Sequence, residues 1–190
     1  MTNIAVFASG SGSNAQRLIE YFKNSSDIQV KILLSNNKNA YALERAKNLG
    51  VPSLVFDRKS FCETDEIVKK LKEENISWIV LAGFLWLIPK NLIKAFPNRI
   101  INIHPALLPL YGGKGMYGHF VHEAVVAAKD KETGITIHFV NENYDEGQII
   151  FQSKCSIDAM DTPDTVAKKV QLLEHEHFPS VVENLIRKYN

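Results

Sequence analysis

Near its start the sequence reads Asn3-Ile4-Ala5-Val6-Phe7-Ala8, followed at once by Ser9-Gly10-Ser11-Gly12-Ser13-Asn14. The apolar first part predicts a buried β-strand, and the glycines predict a tight loop. The next segment, residues 13–24, is predicted to be a helix, because its apolar residues Leu18, Ile19 and Phe22 would lie on one helical face. A strand, a glycine loop and a helix in this order are typical of an open, parallel α/β sheet.

Strands and helices continue to alternate along the chain. Strands are predicted at residues 29–34, 53–56, 78–82, 100–104, 134–140 and 148–157, and helices at 41–49, 64–75, 89–96, 119–128 and from Pro163 toward Tyr189. Continuous apolar strands between helices indicate a parallel sheet that is covered on both sides. We therefore expect an α/β fold with a doubly wound, mostly parallel seven-stranded sheet and helices on both faces. We expect a single domain over residues 1–190, with halves at about 1–100 and about 101–190.

The composition narrows the class of protein. Twenty-two Lys and Arg against 21 Asp and Glu give a net charge of +1, which predicts no strong attraction to nucleic acid or to acidic membranes. The two cysteines, Cys62 and Cys155, lie far apart and outside any Cys-x-x-Cys spacing, which argues against a disulfide framework or a zinc site. The short apolar run at the N-terminus lacks the features of a secretory signal, and no stretch approaches a membrane span. A soluble cytoplasmic protein is expected, either monomeric or homodimeric.

Three loops leave the carboxyl ends of predicted strands, at residues 9–14, 83–88 and 102–109. Ligands of open α/β sheets bind in the crevice at this edge, where loops from different strands meet. We therefore expect the three loops to line one cleft.

The glycine loop carries the first candidate site. Glycines let the backbone approach an anion, and the N-terminus of the following helix offers free N–H groups, so phosphate binding is the functional interpretation. The alternative is a tight turn with an ordinary Ser or Asn helix cap. A dinucleotide site would require an acidic residue at the end of the second strand, where the sequence instead reads Leu34-Ser35-Asn36-Asn37. A phosphomonoester therefore fits better than NAD.

The second candidate site is Asn102-Ile103-His104-Pro105-Ala106-Leu107-Leu108-Pro109. Residues two apart in a strand point to the same side, so Asn102 and His104 form one polar pair. A carboxamide and an imidazole suit acyl transfer to an amine, because the first donates to a developing oxyanion and the second moves a proton. Asp145 precedes Gly147 and is either a turn residue or a carboxylate that faces His104 and raises its pKa.

In combination, these motifs resemble the glycinamide ribonucleotide transformylase family of folate-dependent formyltransferases. The resemblance spans nearly the whole chain, with the following segments in family order: residues 9–14, Ala82-Gly83-Phe84, Asn102-Ile103-His104-Pro105-x-Leu107-Leu108-Pro109, residues 134–140, Asp145-x-Gly147 and Glu174-His175. It implies that the formyl group of 10-formyltetrahydrofolate, a co-substrate, moves to the glycyl amine of the ribonucleotide in purine biosynthesis. It implies small-molecule substrates and no metal, with phosphate bound by the first half of the chain and folate chemistry in the second.

The resemblance also implies roles for individual residues. The catalytic residues would be Asn102, a protonated His104 and Asp145. The ribonucleotide would be held by Gly12, Ser13, Asn14, Gln171 and Glu174. The folate would contact Lys59, Leu85, Trp86, Leu87, Ile88, Asn102, Val140, Asn141 and Tyr144.

Two features depart from the family pattern. Trp86 stands where many members carry a basic residue. The loop at residues 110–121, which contains Gly112-Gly113-Lys114-Gly115, is longer than in the familiar bacterial members. This loop is interpreted either as a mobile cover over the cleft or as a surface insertion.

Other interpretations stay open. Relatives formylate methionyl-tRNA or an amino sugar, or hydrolyse formyl-folate, and we do not expect here the additional domains usual in the tRNA enzyme and the hydrolase. A non-catalytic nucleotide-binding module would keep the glycine loop but would not need Asn102, His104 and Asp145 together. The pairs His119 with His122 and His175 with His177 are interpreted as helix-face residues, with metal binding as the alternative.

Overall fold

Seven strands form one sheet in the computed structural model, which describes residues 1–189. The strands are β1 (Thr2–Phe7), β2 (Ile28–Ser35), β3 (Ser53–Val55), β4 (Ile76–Leu81), β5 (Ile100–His104), β6 (Glu132–Phe139) and β7 (Ile149–Ser156). The helices are α1 (Ser13–Phe22), α2 (Tyr41–Asn48), α3 (Arg58–Cys62), α4 (Glu66–Glu73), α5 (Lys90–Ala95), α6 (His119–Ala127) and α7 (Pro163–Tyr189).

The strand order is β3-β2-β1-β4-β5-β6-β7, so the chain winds outward from β1 in both directions. Strands β1 to β5 pair in parallel, whereas β6 and β7 are antiparallel additions at one edge. The predicted fold class, a doubly wound and mostly parallel seven-stranded sheet with helices on both faces, is confirmed. A crevice for ligands is expected where the order reverses, between β1 and β4.

Two apolar layers cover the sheet, and strand β1 contributes to both because successive side chains of a strand point to opposite faces. Ile4 and Val6 pack with α1, α2 and α7 on one face. Ala5 and Phe7 pack with α3, α4 and α5 on the other face. Helices α1 and α7 therefore lie on the same side of the sheet, and α3 and α5 lie on the opposite side.

Thr136 fixes the loop that follows β5. Its hydroxyl donates to the carbonyl of Ala106 (2.6 Å) and accepts from the backbone N–H of Leu108 (3.0 Å). Gln152 on β7 also donates to this hydroxyl and to the carbonyl of Leu108. A cis peptide bond joins Leu108 to Pro109. The edge strands therefore hold the proline-rich exit of β5 in a defined position.

Helix α3 is absent from the sequence prediction, which assigned no helix between residues 56 and 64. Five residues are too few for helical periodicity to be visible. The usable signal is local, because Asp57 accepts from the backbone N–H of Ser60 while the Ser60 hydroxyl accepts from the backbone N–H of Asp57. This reciprocal capping box marks the helix start without any apolar repeat.

Gly134 gives a test of the antiparallel edge. A Cβ at this position would lie 2.0 Å from the carbonyl oxygen of Ser153 and 2.8 Å from the Cα of Lys154, and backbone cannot yield as a flexible side chain can. We expect Gly134→Ala to lower the free energy of unfolding by about 1–3 kcal/mol, as overpacking usually does. Urea and thermal unfolding measure this loss. The control is Gly10→Ala, where a Cβ meets nothing within 4 Å. Equal midpoints for the two variants would contradict the packing of β6 against β7.

Candidate active site

One cavity of 770 Å³ lies at the carboxyl ends of β1, β4 and β5. Its volume falls in the upper part of the range of about 300–1,000 Å³ that is usual for small-molecule sites. The structure brings the three loops expected from the sequence into its wall, as residues 10–14, 81–88 and 102–105. The loop after β5, the β6–β7 connection and α7 complete the wall.

The glycine loop turns directly into α1. Gly12 has a φ of +74° and stands immediately before the first helical residue, and a Cβ on it would come within 2.5 Å of the Cβ of Ala42. Only glycine fits both the backbone angle and the close approach of α2. The N–H groups of the first turn of α1 are thereby left facing the cavity, as anion binding requires.

Side chains of α7 meet this loop, although they lie far away in sequence. Asn14 donates its amide N–H to Glu174 (2.9 Å), and Gln171 donates to the hydroxyl of Ser13 (3.3 Å). Burial raises the pKa of Glu174, while the hydrogen bond from Asn14 opposes the rise. The five residues predicted to hold the ribonucleotide, Gly12, Ser13, Asn14, Gln171 and Glu174, therefore share one end of the cavity.

A second group of polar residues lies at the end of β5 and has Asn102 at its centre. Its amide nitrogen is 3.1 Å from Nε2 of His138 and 3.3 Å from a carboxylate oxygen of Asp145. Nδ1 of His138 is 2.8 Å from the carbonyl of Phe139, so this nitrogen carries the proton and Nε2 accepts from Asn102. His138 therefore orients the amide group with its nitrogen toward the carboxylate.

His104 is almost fully buried beside this cluster, with 4% of its surface exposed. Its Nε2 donates to the carbonyl of Tyr111 (2.7 Å), and its Nδ1 lies 3.6 Å from a carboxylate oxygen of Asp145. The prediction that the carboxylate faces the imidazole is met by this geometry. Asp145 raises the pKa of His104 as predicted, but burial lowers it by more, so the pKa lies below its usual value and does not favour the protonated His104 that the resemblance implies.

Asp145 stays anionic although it is mostly buried. Burial by itself would raise the pKa of its carboxyl group. The nearby imidazoles of His138 and His104 and the N–H of Gly113 (3.0 Å) outweigh that effect and lower the pKa. The residue has a φ of +56°, a left-handed conformation that an ordinary turn aspartate also tolerates. Its three polar neighbours point to more than a turn residue.

An apolar wall faces the polar cluster across the cavity. It is formed by Leu85, Trp86, Leu87, Ile88, Val140 and Tyr144, six of the residues predicted to contact folate. Trp86 packs against Phe56, Phe61 and Phe84, and the guanidinium of Arg58 lies 5.4 Å from its ring centre. Two other predicted folate contacts, Lys59 and Asn141, are not among the residues that line the cavity. Arg58, rather than Lys59, is the cation next to this wall.

His138 is the site residue that the sequence prediction missed. The quoted segment 134–140 contained the signal, since Thr136 and His138 alternate with the core residues Ile135 and Ile137. The pairing of β6 with β5 sets His138 opposite Asn102 and Thr136 opposite His104. The alternation predicts which face of β6 carries His138, but only the strand register shows that His138 lies opposite Asn102.

The remaining histidines do not form a metal site within residues 1–189, where no group of three or more His, Cys, Asp and Glu side chains is placed to hold an ion. His119 lies 3.4 Å from Glu123 and 3.8 Å from Asp164 at the start of α7. His122 is buried, its Nδ1 has no hydrogen-bond partner in this part of the chain, and burial lowers its pKa to about 4. Over the same residues, no helix is long and apolar enough to cross a membrane.

A family profile described as formyl transferase matches residues 2–182 of the chain. The chain belongs to the formyl transferase family. In Bacillus subtilis, the phosphoribosylglycinamide formyltransferase is 36% identical over 191 residues, which cover 98% of this chain and 95% of the relative. A crystal structure of the Bacillus halodurans phosphoribosylglycinamide formyltransferase superimposes with a TM-score of 0.89 at 36% identity, covering 100% of this chain and 97% of that one.

Plant relatives are longer than this formyl transferase. The chloroplastic phosphoribosylglycinamide formyltransferase of Arabidopsis thaliana is 44% identical over 185 residues, which cover 94% of this chain and 63% of the plant protein. The corresponding protein of Vigna unguiculata is 40% identical over 187 residues, which cover 96% of this chain and 60% of the plant protein. The chain therefore spans about six-tenths of the length of these two curated relatives.

The charge of Asp145 gives a test of the cluster in this formyl transferase. Asp145 is the main group that raises the pKa of His104 against the effect of burial. We expect the pKa of His104 to fall further in Asp145→Asn, as followed by NMR titration of the imidazole Cε1–H signal. The matched control is Glu142→Gln, which removes an exposed carboxylate paired with Lys90. An unchanged or higher pKa in Asp145→Asn would refute the proposed balance of burial and charge.

His122 predicts a loss of stability in mild acid. Its pKa is about 4 in the folded protein and near 6.5 when unfolded, so the unfolded chain binds the proton more readily between these values. The contribution of His122 to the free energy of unfolding should thus be fully present above about pH 6.5. It should fall by about 3 kcal/mol as the pH is lowered toward 4. Urea unfolding across this range should show a flatter pH profile for His122→Gln than for the native chain. A native slope in His122→Gln would exclude this source.

Proposed function

We propose that this formyl transferase moves the formyl group of 10-formyltetrahydrofolate to the amine of phosphoribosylglycinamide in purine biosynthesis. The observation that carries the proposal is the arrangement of the 770 Å³ cavity. A phosphate-type loop lies at one end, an apolar wall lies at the other, and Asn102, His104 and Asp145 stand between them. The names of the Bacillus relatives, which match over nearly their full length, support the same acceptor.

The residues at the phosphate end fit a sugar phosphate. The N-terminus of α1 suits the phosphate group, and Gln171 and Glu174 suit the ribose hydroxyls. Asn14 Oδ1 is buried and accepts no hydrogen bond from residues 1–189, so it can accept one from the ligand. The role of the five residues Gly12, Ser13, Asn14, Gln171 and Glu174 in binding the ribonucleotide is part of this proposal.

The apolar wall fits the planar head of a folate. The side chains of Leu85 to Ile88, together with Val140 and Tyr144, offer a dry surface for a flat ring. Formyl-folate, when bound there, supplies the one-carbon group. Lys59 and Asn141 lie outside the cavity wall, so in this proposal they do not contact the head of the folate.

The polar cluster performs the acyl-transfer chemistry in our proposal. Asn102 moves the N–H that it donates to Asp145 onto the oxygen on which negative charge develops, while its other N–H stays on His138, which holds the amide in place. His104 is neutral in the free protein because burial lowers its pKa, and it takes up the proton that the attacking amine loses, directly or through water, as the negative charge grows beside it. Asp145 balances the resulting imidazolium, which gives the proton to the folate nitrogen as the bond between that nitrogen and the formyl carbon breaks.

The proposal also concerns the class of substrate, the location and the oligomeric state of the protein. Small-molecule substrates, without nucleic acid or a membrane, agree with the net charge of +1. The cytoplasmic location stays a prediction, because the plant relatives are chloroplastic by name. The monomeric or homodimeric state also stays a prediction.

Turnover with purified protein tests the proposal. We mix the protein with 10-formyltetrahydrofolate and phosphoribosylglycinamide and follow the deformylated folate by absorbance. Turnover should require the ribonucleotide, and kcat should fall by about 100- to 1,000-fold in Asn102→Ala and by about 100-fold in Asp145→Asn. The control Asn39→Ala changes an exposed asparagine outside the cavity and should keep native kcat.

Three results would contradict the proposal. Folate consumed without any acceptor would indicate a hydrolase. Turnover only with an amino-sugar nucleotide or with methionyl-tRNA would keep the chemistry and change the acceptor. Ligand binding without turnover would indicate a nucleotide-binding module.

A further inference from the structure

The segment Gly112-Gly113-Lys114-Gly115, unexplained by the proposed chemistry so far, forms part of the cavity wall. Lys114 is the only Lys or Arg among the residues that line the cavity. It makes no hydrogen bond or ion pair with the side chains of residues 1–189, although its side chain is exposed and long. The cavity thus contains one cation without a counter-ion.

The backbone presents Lys114 at the tip of a fixed turn. The N–H of Met116 donates to the carbonyl of Gly113 (3.1 Å), which makes Lys114 and Gly115 the two central residues of the turn. Gly115 has a φ of +92°, the conformation that favours glycine at the third position of a type II turn. Gly113 is tied to Asp145 through its N–H, and Met116 packs on Ala106, Val121 and Val125. Both ends of the turn are therefore anchored.

We infer from the packing of the following helix that the turn lies toward the phosphate side of the cavity. The following helix, α6, packs against α7, and His119 reaches Asp164 in the first turn of α7. Helix α7 carries Gln171 and Glu174, and it shares a face of the sheet with α1. The apolar wall packs on the opposite face, through Phe84, Trp86 and Val140.

Apart from Lys114, the part of the cavity wall that residues 1–189 form contains no Lys or Arg. The N-terminus of α1 supplies about half an elementary charge, whereas a phosphomonoester carries about −1.5 to −2 at neutral pH. Arg45, the nearby cation, is held by the carbonyl of Ser11 and by the side chain of Gln16, and it does not line the cavity.

We propose that Lys114 binds the phosphate of the acceptor substrate. The ammonium group adds one positive charge to the N–H groups of residues 12–14, so the loop at residues 110–121 is a specificity element for a phosphorylated acceptor. The proposal rests on the proposed function for the identity of that acceptor, but not for the phosphate contact itself.

Steady-state kinetics give the first test. Lys114→Gln should raise KM for phosphoribosylglycinamide by about 10- to 100-fold, the loss expected for one hydrogen bond to a charged group. KM for formyl-folate and kcat should stay within about twofold, and Lys114→Arg should keep most of the affinity because it keeps the charge. The control Lys131→Gln removes an exposed lysine outside the cavity and should have native constants.

Calorimetric titration with ribose 5-phosphate gives a readout that does not depend on turnover. The dissociation constant should rise in Lys114→Gln by a similar factor, and it should depend less on salt than in the native chain, because one ion pair has been removed. Ribose without phosphate should not distinguish the two proteins. Circular dichroism melting checks that each variant is folded.

Three results would overturn the assignment of Lys114: unchanged constants, a rise in KM for formyl-folate alone, or a fall in kcat alone. If the native chain does not formylate the ribonucleotide, the proposed function fails. The ribose 5-phosphate titration then still decides whether Lys114 binds phosphate.

Discussion

The antiparallel pairing of β5 with β6 sets the geometry on which the whole site depends. The two strands run in opposite directions, and their register puts Asn102 opposite His138 and His104 opposite Thr136. Within this strand pair, Thr136 holds the proline-rich exit while His138 orients the amide of Asn102. A slip of β6 by one residue would turn Thr136 and His138 to the opposite face and remove both from Asn102 and His104. Two strands thus supply both the reacting groups and the residues that orient them.

Burial and charge act in opposite directions on the reacting groups. Water is excluded from His104, which disfavours its protonated form, and the same exclusion strengthens its attraction to Asp145. At Asp145 the hydrogen bonds and nearby imidazoles win, whereas at His104 burial wins. The site is therefore an anion beside a neutral imidazole until a ligand adds further charge. Charge on the histidine arises during the reaction rather than before it.

The seven strands and six of the seven helices follow from apolar periodicity and from glycine and proline positions, because each long element buries a continuous face. Helix α3 was not predicted, because its start is marked by a capping box and not by a repeat of apolar residues. The expectation that loops 9–14, 83–88 and 102–109 meet rests on a topological rule that the fold obeys.

Properties that depend on packing between distant elements could not be predicted in this way. The sign of the pKa shift of His104 follows from how deeply the residue is buried, which no local pattern reveals. Likewise, the choice between Arg58 and Lys59 at the apolar wall follows from which face of α3 meets Trp86. The role of His138 needed the strand register in addition to its alternation.

Ser9 joins the glycine loop to the apolar wall of the cavity. The side chain of Ser9 donates to Asn36 (2.7 Å) and accepts from the backbone N–H of Leu85 (3.0 Å), so the glycine loop and the start of the apolar wall share one rigid link. Their separation is built into the frame and cannot be widened at one end alone. An altered acceptor in the course of evolution would have to be accommodated by α7 or by the turn at Lys114. Enzymes with this fold that use different acceptors are thus expected to differ on the side of the cavity that Ser9 does not contact.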